Sequence, residues 1–357
     1  MIEMQAQNTP RKSRIFAVAG GKGGIGKSVV AASMGMGLAM LHKQVILIDA
    51  DFGGASLHRI LGMESVRKSS VQFLQKKVHY LEELAISHPR FDHLKLIRGM
   101  NGYLGAANLP YSQKLKLIRH IYRLPADYVL LDLGGGTNYH VLDFFIAADA
   151  SVVLVTPDPL SILEAYHFIK QAFFRKLTHT FKNQGKVTEI IHQYAHADSQ
   201  NRHANVDNMM TEIRLMHAAL ADKIQEVQRR FRPKLLINRL RKRSDENDCM
   251  AVIRAAKELL LIDVEYWGAI HDDSVVYDSL MANQPFISYH SKSRVSRDLA
   301  TIIITKMLKR AHLPDHSPKD ITKGSNAIQE KICSVHCTYW ETCEFRHGGY
   351  PCDLLHL

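Results

Sequence analysis

The chain has 357 residues, of which 46% are hydrophobic, enough for a sizeable buried core. It has no uninterrupted apolar run of membrane-spanning length, and its basic start, MIEMQAQNTPRKSR, lacks the apolar segment of a secretory signal, so the expectation is a cytoplasmic globular protein. A formal net charge of +11 suits contact with nucleic acid, an anionic membrane or an acidic protein, and equally serves solubility.

In chain order, RIFAVAGG (14–21) is a β-rich apolar run ending in glycines, and SVVAASMGMGLAMLHK (28–43) follows with helix-forming composition. QVILIDAD (44–51), DYVLLDLGGG (127–136) and ASVVLVTPDP (150–159) are further buried-strand patterns that end in acidic or glycine residues. PKLLINRL (233–240) and VEYWGAI (264–270) complete six candidate strands separated by helical stretches. Such alternation predicts an α/β fold with a doubly wound, mostly parallel sheet, whose ligands gather at the carboxyl ends of the strands. Residues 175–232 interrupt the rhythm as a helical insertion. Its apolar positions from Val206 through Met216 to Phe231 recur at helical spacing and predict one long amphipathic helix. ATIIITKMLKRAHL (300–313) reads as a last helix packed on the sheet, with membrane targeting as the alternative. A polar linker at 313–326 leads to a cysteine-rich module at 327–357, so the organisation expected is a tail at 1–13, a main α/β domain at 14–312, linker and module.

Gly21-Lys22-Gly23-Gly24-Ile25-Gly26-Lys27-Ser28 satisfies G-x-x-x-x-G-K-S between a predicted strand and helix. The glycines let backbone N–H groups point at phosphate oxygens, and the helix beginning near Ser28 and Val29 adds its positive dipole end. Lys27 is expected to neutralise the β and γ phosphates of ATP and the Ser28 hydroxyl to ligate Mg²⁺. Asp132, closing YVLLD, is the carboxylate expected to hold the metal, and Asp49 and Asp51, closing VILIDAD, are a second acidic pair beside the γ-phosphate. The alternative for strand-end aspartates is the capping of backbone amides.

KGGIGKS with its early lysine, followed by LIDADFGGASLH, resembles the deviant phosphate-loop ATPases of the MinD/ParA group. Within that group, the segment 126–170, LLINRLR (235–241) and WGAIHDDSVVYDSLMANQPFI (267–287) look most like the FlhG/FleN branch of flagellar-number regulators. The resemblance covers roughly residues 14–310 and implies a P-loop NTPase fold of the SIMIBI, MinD-like kind. It implies that ATP and Mg²⁺ are bound and that ATP is hydrolysed slowly, with partner stimulation. Lys22 then reaches the phosphates of a second subunit in an ATP-sandwiched homodimer, Asp51 positions water, Asp49 is a metal-side partner, and Asn238 with Arg239 meets the adenine. Three features depart from the branch: no activation helix with a DQA-type motif at the start, cysteines in place of a membrane-targeting helix at the end, and the enlarged segment 175–232. His271 also stands where the branch has proline.

Cys333, Cys337, Cys343 and Cys352 are separated by three, five and eight residues, with His336 and His347 among them. In a cytosolic chain such a cluster suggests a metal site, a [4Fe-4S] cluster or Zn²⁺, with disulfides or free thiols as alternatives. The function expected is a dimerising switch that sets the number or placement of a cellular structure. It would act through partners at the dimer surface, the helical insertion or the cysteine tail, at a pole or membrane periphery. The competing readings are a DNA-associated partition ATPase using Arg239, Arg241, Lys242 and Arg243, an iron-sulfur carrier or sensor ATPase, and a nucleotide-dependent binding module without appreciable hydrolysis.

Overall fold

A computed structural model describes residues 13–51, 54, 56–63, 68–99, 110–196 and 206–308. In chain order the elements begin with β1 (Arg14–Ala19), α1 (Lys27–Met40), β2 (Val45–Ala50), α2 (Leu57–Ile60) and α3 (Ser70–Leu74). After a 3₁₀ turn at Leu81–Leu84 come β3 (Ile86–His88), β4 (Phe91–Ile97), α4 (Tyr111–Ile121), β5 (Tyr128–Leu133), α5 (Tyr139–Ala147) and β6 (Ala150–Val155). The helices α6 (Pro159–Phe181), α7 (Gly185–His196), α8 (Val206–Met216) and α9 (Ala218–Arg230) precede β7 (Lys234–Leu240). The last elements are α10 (Arg243–Cys249), α11 (Ala251–Leu260), β8 (Glu265–His271), α12 (Val275–Met281), α13 (Phe286–Tyr289) and α14 (Arg294–Ile302), continued by a turn of π-helix at Ile303–Met307.

One sheet of eight strands runs β3-β4-β2-β5-β1-β6-β7-β8, parallel throughout except for β3 against β4. Its central strands are buried on both faces, which is why they read as unbroken apolar runs. On β1, Ile15, Ala17 and Ala19 pack into the layer that contains α5, α6 and the insertion helices, while Phe16 and Val18 pack against α1 and α14. The same alternation holds on β5, where Val129 and Leu131 face one layer and Tyr128 and Leu130 the other. Both layers thus share strands whose carboxyl ends point the same way.

Three sequence expectations change. Two strands join the six predicted, because β4 carries Asp92, His93 and Lys95 among its apolar positions and β3 is only three residues long. The long amphipathic helix is two helices: His217 is extended (φ −161°), and its carbonyl accepts from the N–H groups of Leu220 and Ala221 to start α9. Met209, Met210, Ile213, Ala221 and Ile224 are buried as the apolar pattern requires, but Met216 beside the break is 48% exposed. The segment beginning at 175 starts inside α6, which runs unbroken to Phe181.

At the other end, Ile302, Ile303 and Met307 are buried in the α1 layer, which matches the packed-helix reading over the described part of 300–313. No helix among the described residues is long and apolar enough to cross a membrane. The N-terminal tail to residue 12, the linker and the cysteine module with Cys333, Cys337, Cys343 and Cys352 lie outside the described residues.

Candidate functional site: a phosphate loop facing buried carboxylates

The loop between β1 and α1 is shaped by its glycines. Gly26 is the N-cap of α1 at φ 93°, in the left-handed region, and a Cβ there would stand 2.6 Å from Asn238 Nδ2. That amide donates to the Ile25 carbonyl at 2.8 Å, so Asn238, buried on β7, pins the loop from two strands away. Sequence reasoning carried Asn238 to the adenine; here its amide nitrogen is engaged with the loop backbone. Arg239 follows it, exposed and at φ 58°. Gly23 and Gly24 are exposed and Ile25 is buried, which leaves the loop's crest open to a ligand and its base anchored in the core.

Lys27 is nearly buried and donates from Nζ to the Lys22 carbonyl at 3.0 Å, curling back over the loop. Burial lowers its pKa, and the charges of Asp132 and Asp51 oppose that effect. Lys22 points elsewhere: its Nζ pairs with Asp158 Oδ1 at 2.7 Å. Asp158 caps α6 by accepting from the Ser161 N–H at 2.9 Å, with Pro159 at the first helical position, and it accepts from Thr156 Oγ1 at 2.7 Å. Sequence reasoning missed Asp158 as a partner; D-P-L-S marks it as a helix cap but says nothing about Lys22.

Behind the loop stand the carboxylates. Asp49 and Asp132 are directly paired residues on neighbouring strands, and both are buried. Asp49 spends its oxygens on backbone N–H groups, Leu57 at 3.1 Å and Asp51 at 3.3 Å. Burial pushes its carboxyl up to about 7, and the N–H bond from Leu57 works against that rise. Asp51 accepts from the Gly54 N–H at 3.1 Å and lies against Gly134. A Cβ on Gly135 in the same turn would press tightly on the loop backbone, 3.0 Å from the Gly23 nitrogen. The turn after β5 therefore rests on the phosphate loop.

Asp132 differs from its neighbours. It is fully buried, and neither oxygen accepts a hydrogen bond of ordinary geometry. Burial, then the Asp49 charge, drive its carboxyl well above the usual range, while Ser28 and Lys27 pull the other way. A buried carboxylate left without donors is costly unless a cation completes it. With Ser28 beside it at the mouth of α1, the donor set fits a hard, oxygen-seeking cation such as Mg²⁺.

A strand, a glycine loop with two lysines, a helix, and an orphaned aspartate on an adjacent parallel strand decide the architecture. The chain has the ParA/MinD P-loop NTPase fold. The family model that matches, over residues 11–100, is described as ParA, NUBPL iron-transfer P-loop NTPase. The putative septum site-determining protein MinD of Oltmannsiellopsis viridis is 29% identical over 160 residues, 44% of this chain and 49% of that protein. The antiactivator FleN of Pseudomonas aeruginosa is 27% identical over 169 residues, 47% of this chain and 59% of that protein. The alignments thus span about half the length of the curated relatives. Among solved structures, MinD in the MinC:MinD cell division complex of Aquifex aeolicus superposes with TM-score 0.56 at 18% identity, covering 84% of this chain and 98% of that one. MinD of Pyrococcus horikoshii complexed with Mg-ADP gives 0.55 at 15% identity, covering 83% and 97%. The ParA/MinD fold brings Lys22, Lys27, Ser28, Asp49, Asp51 and Asp132 to one end of the sheet, as the sequence predicts.

Proposed function

We propose that this chain is an ATP-dependent, dimerising switch ATPase of the MinD type that sets the placement or number of a cellular structure. The observation that carries the reading is the buried, unpartnered carboxylate of Asp132 beside Ser28 and Lys27. In this reading Gly21, Gly23, Gly24, Ile25 and Gly26 present backbone N–H groups to the phosphates, and Lys27 leaves the Lys22 carbonyl to meet the β and γ oxygens. Ser28 and Asp132 hold Mg²⁺, whose charge would neutralise the developing negative charge on the phosphates. Asp49 acts through its backbone bonds, fixing the turn that presents Asp51 to the attacking water. Lys22 exchanges Asp158 for the phosphates of a second copy, so that the two-subunit state forms only with ATP.

The regulated structure is proposed from relatives named as septum site-determining proteins and from the resemblance to the FlhG/FleN branch, and a polar or membrane-peripheral cytoplasmic site goes with it. The basic run offers less support to a DNA-partition reading: Arg241 pairs with Asp272 at 3.0 Å and Lys242 lies 3.9 Å from Asp245. An iron-sulfur carrier role would depend on Cys333, Cys337, Cys343 and Cys352 holding [4Fe-4S] or Zn²⁺, since the part matching the iron-transfer model contains no cysteine. The deciding experiment is phosphate release together with sizing in Mg-ADP and Mg-ATP. ATP-specific dimers with slow turnover support the switch. A monomer in both nucleotides overturns it.

A further inference from the structure

The end of the sheet opposite the phosphate loop brings two histidines together. α1 runs from Lys27 at the loop to Met40, and His42 follows its last turn at φ 56°, where its N–H donates to the Ala39 carbonyl at 3.0 Å. His93 is the third residue of β4, one step before the pairing of Leu94 with Val45 on β2. Gln44, just ahead of β2, therefore lies beside His93. The backbone of Gln44 is bound on its other side to the start of β5: its N–H donates to Asp127 Oδ2 at 3.0 Å, and its carbonyl accepts from the Asp127 and Tyr128 N–H groups at 2.8 and 3.1 Å. Both histidines and the glutamine thus stand on the framework of the sheet, which holds a site more precisely than a free loop does.

His42 Nδ1 and His93 Nε2 face each other at 3.3 Å, with the rings nearly perpendicular and their centroids 5.2 Å apart. That distance is long for a hydrogen bond. Two imidazole nitrogens bound to one tetrahedral Zn²⁺, each about 2.0–2.1 Å from it, stand about 3.3–3.4 Å apart, with ring centroids about 5 Å apart. The pair therefore has the spacing of two ligands on a single ion. The other nitrogen of His93, Nδ1, lies 2.8 Å from the Gln44 side-chain amide. An amide presents either its oxygen or its nitrogen at such a point by turning over. With the oxygen presented, Gln44 accepts the Nδ1–H and leaves the lone pair of His93 Nε2 directed at the space shared with His42. This is the outer hydrogen bond that fixes the tautomer of a metal-binding histidine. Among the described residues no group of three His, Cys, Asp or Glu side chains forms here, so the ion would keep water in its remaining positions.

We propose that His42 and His93, oriented by Gln44, form a surface site for a divalent transition metal, with zinc the ion whose tetrahedral distances fit, and that the metal clamps the end of α1 to β4. Imidazole suits this class of ion. The site lies away from the phosphate loop, so its test stands apart from that of the ATPase reading. Zn²⁺ is titrated calorimetrically into the full-length protein and into His42→Ala, His93→Ala and Gln44→Leu. All four proteins carry the same cysteines and the same other histidines, so any difference belongs to this pair. The wild type should bind one more ion per chain than either histidine variant, and zinc should raise its melting temperature by more. Gln44→Leu keeps both ligands and should weaken this one site at least about tenfold. The histidines lie at the surface, so the alanine variants should fold, as circular dichroism checks. Wild-type zinc stoichiometry and affinity in either folded histidine variant overturns the proposal, and unchanged affinity in Gln44→Leu overturns the part given to its amide.

Discussion

Lys22 and Asp158 form an ion pair of 2.7 Å within one subunit, and Asp158 simultaneously caps α6. The lysine proposed to serve a neighbour is thus held by its own chain. Burial raises the Asp158 carboxyl, but bonds from Lys22, Thr156 and Ser161 outweigh that and leave it lowered. Because the pair is 31% and 43% exposed, it contributes no more than about 1 kcal/mol, or about fivefold in an equilibrium. Asp158→Asn preserves the cap, since asparagine caps as well as aspartate, and removes the charge that retains Lys22. Dimerisation in Mg-ATP should tighten by about two- to fivefold in sedimentation measurements, whereas Lys22→Ala should abolish the dimer and still bind nucleotide. Equal dimerisation in all three proteins would show that Lys22 has no role between subunits.

Asp132→Asn tests the metal assignment through stability as well as activity. The carboxylates here have folded-state pKa values raised by burial, so the folded protein holds protons that the unfolded chain releases. Stability is therefore lost as pH rises from about 4, the ordinary carboxylate value, through about 7 at Asp49. Removing the Asp132 charge should raise nucleotide-free stability at pH 7 by about 1–3 kcal/mol and flatten this pH dependence. The same variant should lose Mg²⁺-dependent phosphate release. A lower melting temperature without nucleotide would mean that Asp132 is held by the fold and has no need of a cation.

The phosphate loop and its strand-end aspartates were legible because their chemistry demands fixed spacing along the chain, as from Gly21 to Ser28, and because buried parallel strands leave continuous apolar runs. What links them was not. Asn238 and Ile25 are 213 residues apart, and Lys22 and Asp158 are 136 apart. No local pattern marks either pair, since β1, β6 and β7 become neighbours only through crossovers. The break at His217 was hidden for the opposite reason: apolar residues on both sides keep helical spacing, so the pattern runs through a chain that turns. Strand β4, second from the edge of the sheet, mixes polar residues into its run because part of it faces solvent.

Gly26→Ala probes the loop's dependence on β7. At φ 93° an alanine is strained, and its Cβ would collide with the Asn238 amide 2.6 Å away. The strain costs about 1–3 kcal/mol, and displacement of Asn238 releases the Ile25 carbonyl. Nucleotide affinity should fall more than tenfold, while Asn238→Ala, which loses the pin without the clash, should fall less. If both variants bind ATP like the wild type, the loop is set by its own sequence and Asn238 is free for other work.

Asp143 makes the acid limit of the fold measurable. Burial raises its carboxyl, but the bonds from His179, Arg175 and Lys114 prevail and hold it far below the ordinary carboxylate range. A depressed folded-state pKa contributes stability that is fully present above about pH 4 and is lost as pH falls below it. Asp143→Asn should therefore cost about 3 kcal/mol at pH 7, because Lys114 remains buried without its counter-charge. The difference from wild type should shrink as the pH is lowered below about 4, where the unfolded chain's carboxylate takes up a proton that the folded, ion-paired one still excludes. Denaturant titrations of both proteins across this range give the result directly: a gap that stays constant with pH would assign the loss to packing, and a gap that closes assigns it to the charge of Asp143.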